Sequence, residues 1–140
     1  MKNKLFGLSL IWIFYLFFTS SFADELNINA LEVHVDKGGR IIYAEGEVEI
    51  TDTKQNLILT EKAEYDKSKN LAKALGRTNI ITSEKFKVSG RNIFYDNQKK
   101  IIYSNDDTII SDRDGNKIFV NMFNYLTEKN MFLSKGNIKS

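Results

Sequence analysis

Residues 41–70 read IIYAEGEVEITDTKQNLILTEKAEYDKSKN, and their pattern decides the fold. From Ile41 to Ile50 the even positions Ile42, Ala44, Gly46, Val48 and Ile50 are apolar or small. Glu45, Glu47 and Glu49 stand between them, the period-2 signature of a half-buried strand. Thr51-Asp52-Thr53-Lys54-Gln55-Asn56 is rich in turn formers, and a second strand-like run follows. In that run the phase changes: Ile58 and Thr60 are even, Ala63 and Tyr65 odd. One extra residue near 61–62 would keep both pairs on one face, which predicts a bulge.

The same pattern recurs without a gap at 71–100 and 101–130, with half units at 28–40 and 131–140. Val35, Tyr65, Tyr95 and Tyr125 share a column, as do Ile50, Ile80 and Ile110. Ile28, Ile58, Val88 and Ile118 form another, and Val33, Ala63, Ile93 and Phe123 a fourth. Asp36, Asp66 and Asp96 repeat at a turn, where Leu126 breaks the column. The even phase continues through Ala72, Ala74, Gly76, Thr78 and Ile80, then Ile102, Ser104, Thr108 and Ile110, with Asp106 as a polar intrusion. Bulges are expected again near 91–92 and 121–122. The reading is an all-β, repeat-built protein of 30-residue strand–turn–strand units whose repeated bend curves the sheet into a trough. No segment after residue 23 sustains a helical period.

Residues 1–23 stand apart. Lys2 and Lys4 precede an apolar run from Leu5 to Phe18, and Ser21 and Ala23 supply small residues before Asp24. This is the layout of a secretory signal peptide; an uncleaved membrane anchor is the alternative. The domain is then 24–140. No acid is lost with the signal, so the remainder carries 18 basic and 18 acidic residues. A neutral surface gives no footprint for nucleic acid.

The chain has no cysteine and one histidine, His34, whose column points outward. No disulfide, thiolate site or His-rich metal site can be built. Asp112-Arg113-Asp114-Gly115-Asn116 resembles part of a calcium loop, but Phe123 stands where the closing glutamate belongs, and the segment reads as a turn. Asp106-Asp107 is an adjacent acid pair without a nucleophile or oxyanion loop beside it. No catalytic residue, cofactor or metal is assigned, and the chain reads as a non-enzyme. The column tyrosines fit two roles: a ligand ladder, or aromatic caps at the core rim. The inward stripe is core if the sheet closes and a long apolar groove if it stays open; the repeated bulge favours the groove.

Ala44-Glu45-Gly46-Glu47-Val48-Glu49-Ile50, a turn, then Leu57-Ile58-Leu59-Thr60-Glu61-Lys62-Ala63-Glu64-Tyr65-Asp66 resembles the OstA-like repeat. The resemblance spans 26–140. The family comprises the lipopolysaccharide transport protein LptA, the N-terminal domain of LptD, and LptC. It implies a β-jellyroll, a bent, taco-like sheet, that carries lipopolysaccharide acyl chains in its groove. It also implies edge-strand pairing with other such domains in a periplasmic bridge to the outer membrane. By position, the groove-lining residues would be Ile42, Ala44, Val48, Ile50, Ile58, Ala63, Tyr65, Ile80, Val88, Ile93, Tyr95, Ile110, Ile118, Phe123 and Tyr125. Within the family the half unit at 131–140 favours an LptD-like N-terminal region, with an outer-membrane barrel as partner, over a free-standing LptA-like protein. A structural or adhesive secreted β-solenoid is the rival from another class. Ser104 and Asp106 replace the alanine and glycine of the repeat, and so threaten the apolar continuity of the third unit.

Overall fold

A computed structural model describes residues 24–135; the segment read as a signal peptide lies outside them. All eleven elements are strands: β1 Asn27–Asn29, β2 Glu32–Val35, β3 Ile41–Thr51, β4 Leu57–Asp66, β5 Leu71–Ile81, β6 Lys87–Asp96, β7 Ile101–Ser104, β8 Thr108–Ser111, β9 Lys117–Val120, β10 Met122–Leu126 and β11 Met131–Lys135. They form one antiparallel, open sheet that meanders in chain order. Three courses are split in mid-strand: β1 and β2 both pair with β3, β7 and β8 both pair with β6, and β9 and β10 continue these onto β8 and β7.

The splits lie on a line that crosses the whole sheet. Register slips between Glu45 and Val48 in β3, between Thr60 and Lys62 in β4, and between Ala74 and Arg77 in β5. Asn121 separates β9 from β10. Gly46 and Gly76 sit on this line at φ +81° and +76°. They are therefore bend residues, and the expectation that they continue a straight inward face is corrected. A positive φ is open to glycine because it has no Cβ to strike the following carbonyl oxygen. At Gly46 a Cβ would also lie 3.0 Å from Leu31 Cδ1.

The bend divides the sheet into two facing halves. One is floored by an aliphatic ladder whose neighbours are cross-strand partners: Ile28–Ile50–Ile58–Ile80–Val88–Ile110–Ile118. The other carries Val35–Ile42–Tyr65–Ala72–Tyr95–Ile102–Tyr125–Phe132 in the same way. We call these the isoleucine half and the tyrosine half. Each half is apolar on one face only, so folding along the bend buries both faces at once.

Two rows of turns end the strands. On the isoleucine half, Asp52, Thr82 and Asp112 begin turns that close through residues of positive φ, Gln55, Lys85 and Gly115. Asp112 Oδ1 accepts the backbone N–H groups of Asp114 and Asn116, each at 2.9 Å, and Oδ2 accepts Asn116 Nδ2 at 2.7 Å. The Asn116 side chain and these N–H groups hold the Asp112 carboxyl below its ordinary range. The calcium-like motif is thus occupied as a turn. On the tyrosine half, Asp36, Asp66 and Asp96 accept backbone N–H groups of their own turns, which accounts for the aspartate column.

Candidate functional site: the interior of the folded sheet

The interior is one cluster of buried side chains running through every layer. Of the proposed groove residues, Ala44, Val48, Ile50, Ile58, Ala63, Tyr65, Ile80, Val88, Ile93, Tyr95, Ile110, Phe123 and Tyr125 are buried there together. Ile42 is half-buried against the cluster. Ile118 differs, with 43% of its surface exposed, because among the described residues β9 is the last strand of the isoleucine half. Among the described residues the ladder therefore ends uncovered.

Sequence reasoning left several interior residues out of the site. Ala72, Ala74, Ile102 and Val120 are buried in the same cluster. Their even phase marks them. Leu26 is also buried, and no strand pattern announces it. It lies before β1, where the chain crosses from one half to the other.

The two halves meet at their turn-bearing edges, and this closes the expected trough. Tyr95 hydroxyl donates to Asp52 Oδ2 at 2.6 Å. Lys54 Nζ donates to Thr127 O at 3.4 Å, and Ser83 Oγ to Asn130 Oδ1 at 3.3 Å. Phe86 meets Phe132 edge-on with ring centroids 5.6 Å apart. In each pair one residue belongs to the isoleucine half and the other to the tyrosine half. The N-terminal stretch extends the seam: Asp24 O accepts Asn97 Nδ2 at 2.6 Å, and Lys100 pairs with Asp24 at 3.4 Å. The expectation of an open groove is therefore corrected in the described residues. The repeated bend is sharp enough to bring the lips together, so the interior is filled by its own side chains.

The column tyrosines serve as rim caps. Their rings are buried, and their hydroxyls enter the polar seam. Tyr65 donates to Asn70 Oδ1 at 2.5 Å and Tyr125 to Asn130 Oδ1 at 3.1 Å. Burial pushes all three phenols above their ordinary range, Tyr95 furthest because the Asp52 carboxylate adds to it.

The third layer shows how the two polar departures are absorbed. Ser104 is buried, but its Oγ donates to Arg91 O at 2.9 Å and accepts the Asp106 N–H at 3.1 Å. Asp106 is exposed, in the break between β7 and β8, and accepts Asn92 Nδ2 at 3.0 Å. It does not intrude on the interior, and the Asp106-Asp107 pair does not sit within a strand. His34 is exposed, as its column predicts. Among the described residues no group of three or more His, Asp or Glu side chains is placed to hold a metal ion.

These features define a class: an all-β protein whose antiparallel sheet is folded along a line of bulges around an apolar interior. A solved structure of this class is LptH, the LptA-homologous periplasmic component of the lipopolysaccharide transport device of Pseudomonas aeruginosa. It superposes with a TM-score of 0.67 at 14% identity, over 78% of this chain and 80% of that one. At such identity the likeness establishes the fold. No protein-family model and no curated protein matches the sequence.

Proposed function

We propose that this chain is an exported, non-enzymatic part of a periplasmic lipopolysaccharide transport bridge, built from 30-residue repeats. The observation that carries the reading is the uninterrupted aliphatic ladder from Ile28 to Ile118, inside a fold like that of LptH. A ladder of this kind can shelter acyl chains at roughly 25 cal/mol per Å² of apolar surface. The lips must part to admit them. They are joined by part-buried or exposed side-chain hydrogen bonds, whereas the bend is continuous backbone. Opening along the seam therefore leaves the strand ladders intact.

Among the described residues the sheet is open at both ends, with Val33 and Val35 exposed on β2, and Met131 and Leu133 on β11. Unpaired edges of this kind suit strand addition by neighbouring domains of the same fold. The basic start, apolar run and small residues of 1–23 favour export through a cleavable signal. An LptD-like N-terminal region carried by an outer-membrane barrel is our preferred form, and a free-standing LptA-like bridge protein the alternative.

Photocrosslinking tests the reading. A benzophenone side chain replacing Phe123 or Phe132 should give adducts with lipopolysaccharide, and one replacing outward-facing Phe94 should not. The absence of adducts at both interior positions in folded protein would overturn it. The filled interior also favours a second reading, a structural stack that admits no lipid. That reading is the one left standing by such a result.

A further inference from the structure

Near the bend the isoleucine half bears a concavity of about 1010 Å³, lined by the exposed Arg77, Asn79, Ser89, Arg91 and Phe119, which alternate along their strands with the inward-row residues Thr78, Gly90 and Val120 at its base. Asn79, Ser89, Ile109 and Phe119 stand side by side across it as successive cross-strand partners. In the adjoining row Arg77 lies directly opposite Arg91. Like charges at such a position repel each other, with Cα atoms only about 4.5–5.5 Å apart. The ion pairs among the described residues are Lys62–Glu45, Lys100–Asp24 and Arg113–Glu84, so neither guanidinium has an acid partner. Two exposed guanidiniums side by side present donors in the fork geometry that fits phosphate or carboxylate.

The rest of the lining is unlike a bare anion site. Phe119 is 46% exposed, and its ring offers a flat apolar surface. Ser89 Oγ donates to Asn79 Oδ1 at 2.8 Å, which fixes the two polar groups beside that ring. Asp106 and Asp107 close the other side. Their carboxylates accept hydroxyl protons and repel a ligand that is anionic along its whole length. The volume also exceeds what a single phosphate fills.

We propose that this concavity binds an acidic saccharide, a sugar carrying phosphate or carboxylate. Arg77 and Arg91 take the acid group, Phe119 the apolar face of a ring, and Asp106 and Asp107 ring hydroxyls. The site goes beyond the lipid reading, because its contacts are exposed side chains outside the inward row. Such a sugar can come from the headgroup of a glycolipid or from a soluble saccharide.

The test titrates the full chain, followed by amide NMR, with four probes. These are intact lipopolysaccharide, its deacylated phosphorylated core oligosaccharide, the same oligosaccharide after dephosphorylation, and inorganic phosphate. The phosphorylated oligosaccharide should shift amides around Arg77, Arg91 and Phe119. R77Q and R91Q should each weaken it by about tenfold or more, as expected for loss of a hydrogen bond to a charged group. Their unfolding midpoints should stay level or rise as the repulsion is relieved; an arginine with a purely structural role would lower them. Equal binding of intact and deacylated forms identifies the sugar alone as the ligand. Undiminished binding by both variants overturns the proposal, and undiminished binding after dephosphorylation overturns phosphate as the acid group and assigns carboxylate. Inorganic phosphate binding as tightly as the oligosaccharide overturns its saccharide part. Binding that requires acyl chains overturns it as well, and leaves the interior reading untouched.

Discussion

The Tyr95 hydroxyl reaches 2.6 Å from Asp52 Oδ2, tying strand β6 of the tyrosine half to the turn that ends β3 on the isoleucine half. Asp52 also accepts the backbone N–H groups of Lys54 at 3.0 Å and Asn56 at 2.9 Å, and Asn56 Nδ2 at 2.7 Å. One carboxylate thus organises a turn and clasps the opposite lip.

Unequal costs on the two sides of that clasp are expected. Tyr95→Phe removes one hydrogen bond and keeps the ring, so it should cost about 1 kcal/mol. Asp52→Ala strips the turn of its acceptor and leaves the buried Tyr95 hydroxyl without its partner, for about 2–3 kcal/mol. Urea unfolding of both variants and of the double mutant measures the coupling. A double mutant equal to the sum of the singles would show that the two residues do not act together.

Alkaline pH should loosen the fold through the same phenols. Tyr65, Tyr95 and Tyr125 hold their protons above the ordinary value of 10.0 in the folded chain. Above about pH 10 the unfolded chain releases protons that the folded chain keeps, so stability present below that pH is lost as pH rises through the folded values. The slope is roughly 1.4 kcal/mol per pH unit for each such tyrosine over that window. Unfolding midpoints between pH 8 and 11 should fall, and should fall less steeply in Tyr95→Phe. A flat profile would contradict the burial of these hydroxyls.

Truncations along the ladder should report where it is covered. Ile80→Ala removes a buried side chain between Ile58 and Val88, and should cost about 2–5 kcal/mol. Ile118→Ala, at the exposed end of the described ladder, should cost under about 1 kcal/mol, because less apolar surface leaves water there. Comparable losses at both positions would mean that the end is covered in solution.

The two bend glycines should separate backbone strain from crowding. Gly76→Ala meets nothing within 4 Å but forces a positive φ, a cost of about 1–2 kcal/mol. Gly46→Ala adds contact with Leu31, whose Cβ would lie 3.1 Å away, so it should cost more. Leu31→Gly should recover the difference in Gly46→Ala and leave Gly76→Ala unchanged, as thermal unfolding would show.

Much of the fold was legible because its instructions are local. Alternation from Ile42 to Ile50 marks a strand with one buried face, and the phase change between Thr60 and Ala63 marks where the next strand bends. The recurrence of Ile50, Ile80 and Ile110 lays down a ladder before any pairing is known. Asp106 misled because column position alone cannot show that the strand breaks between Ser104 and Thr108 and turns the carboxylate out to solvent. The Arg77–Arg91 pair was equally hidden, since the two arginines occupy different columns and meet only through cross-strand register.

Periodicity by itself therefore determined which residues face inward and at which points the chain can fold over. Only the tertiary structure decided that the halves close on each other. Tyr95 and Asp52 occupy different columns of the repeat, and nothing in either pattern states how sharply successive bulges add up. That angle is set by the packing of one half's side chains against the other's, an interaction between faces that no single strand contains.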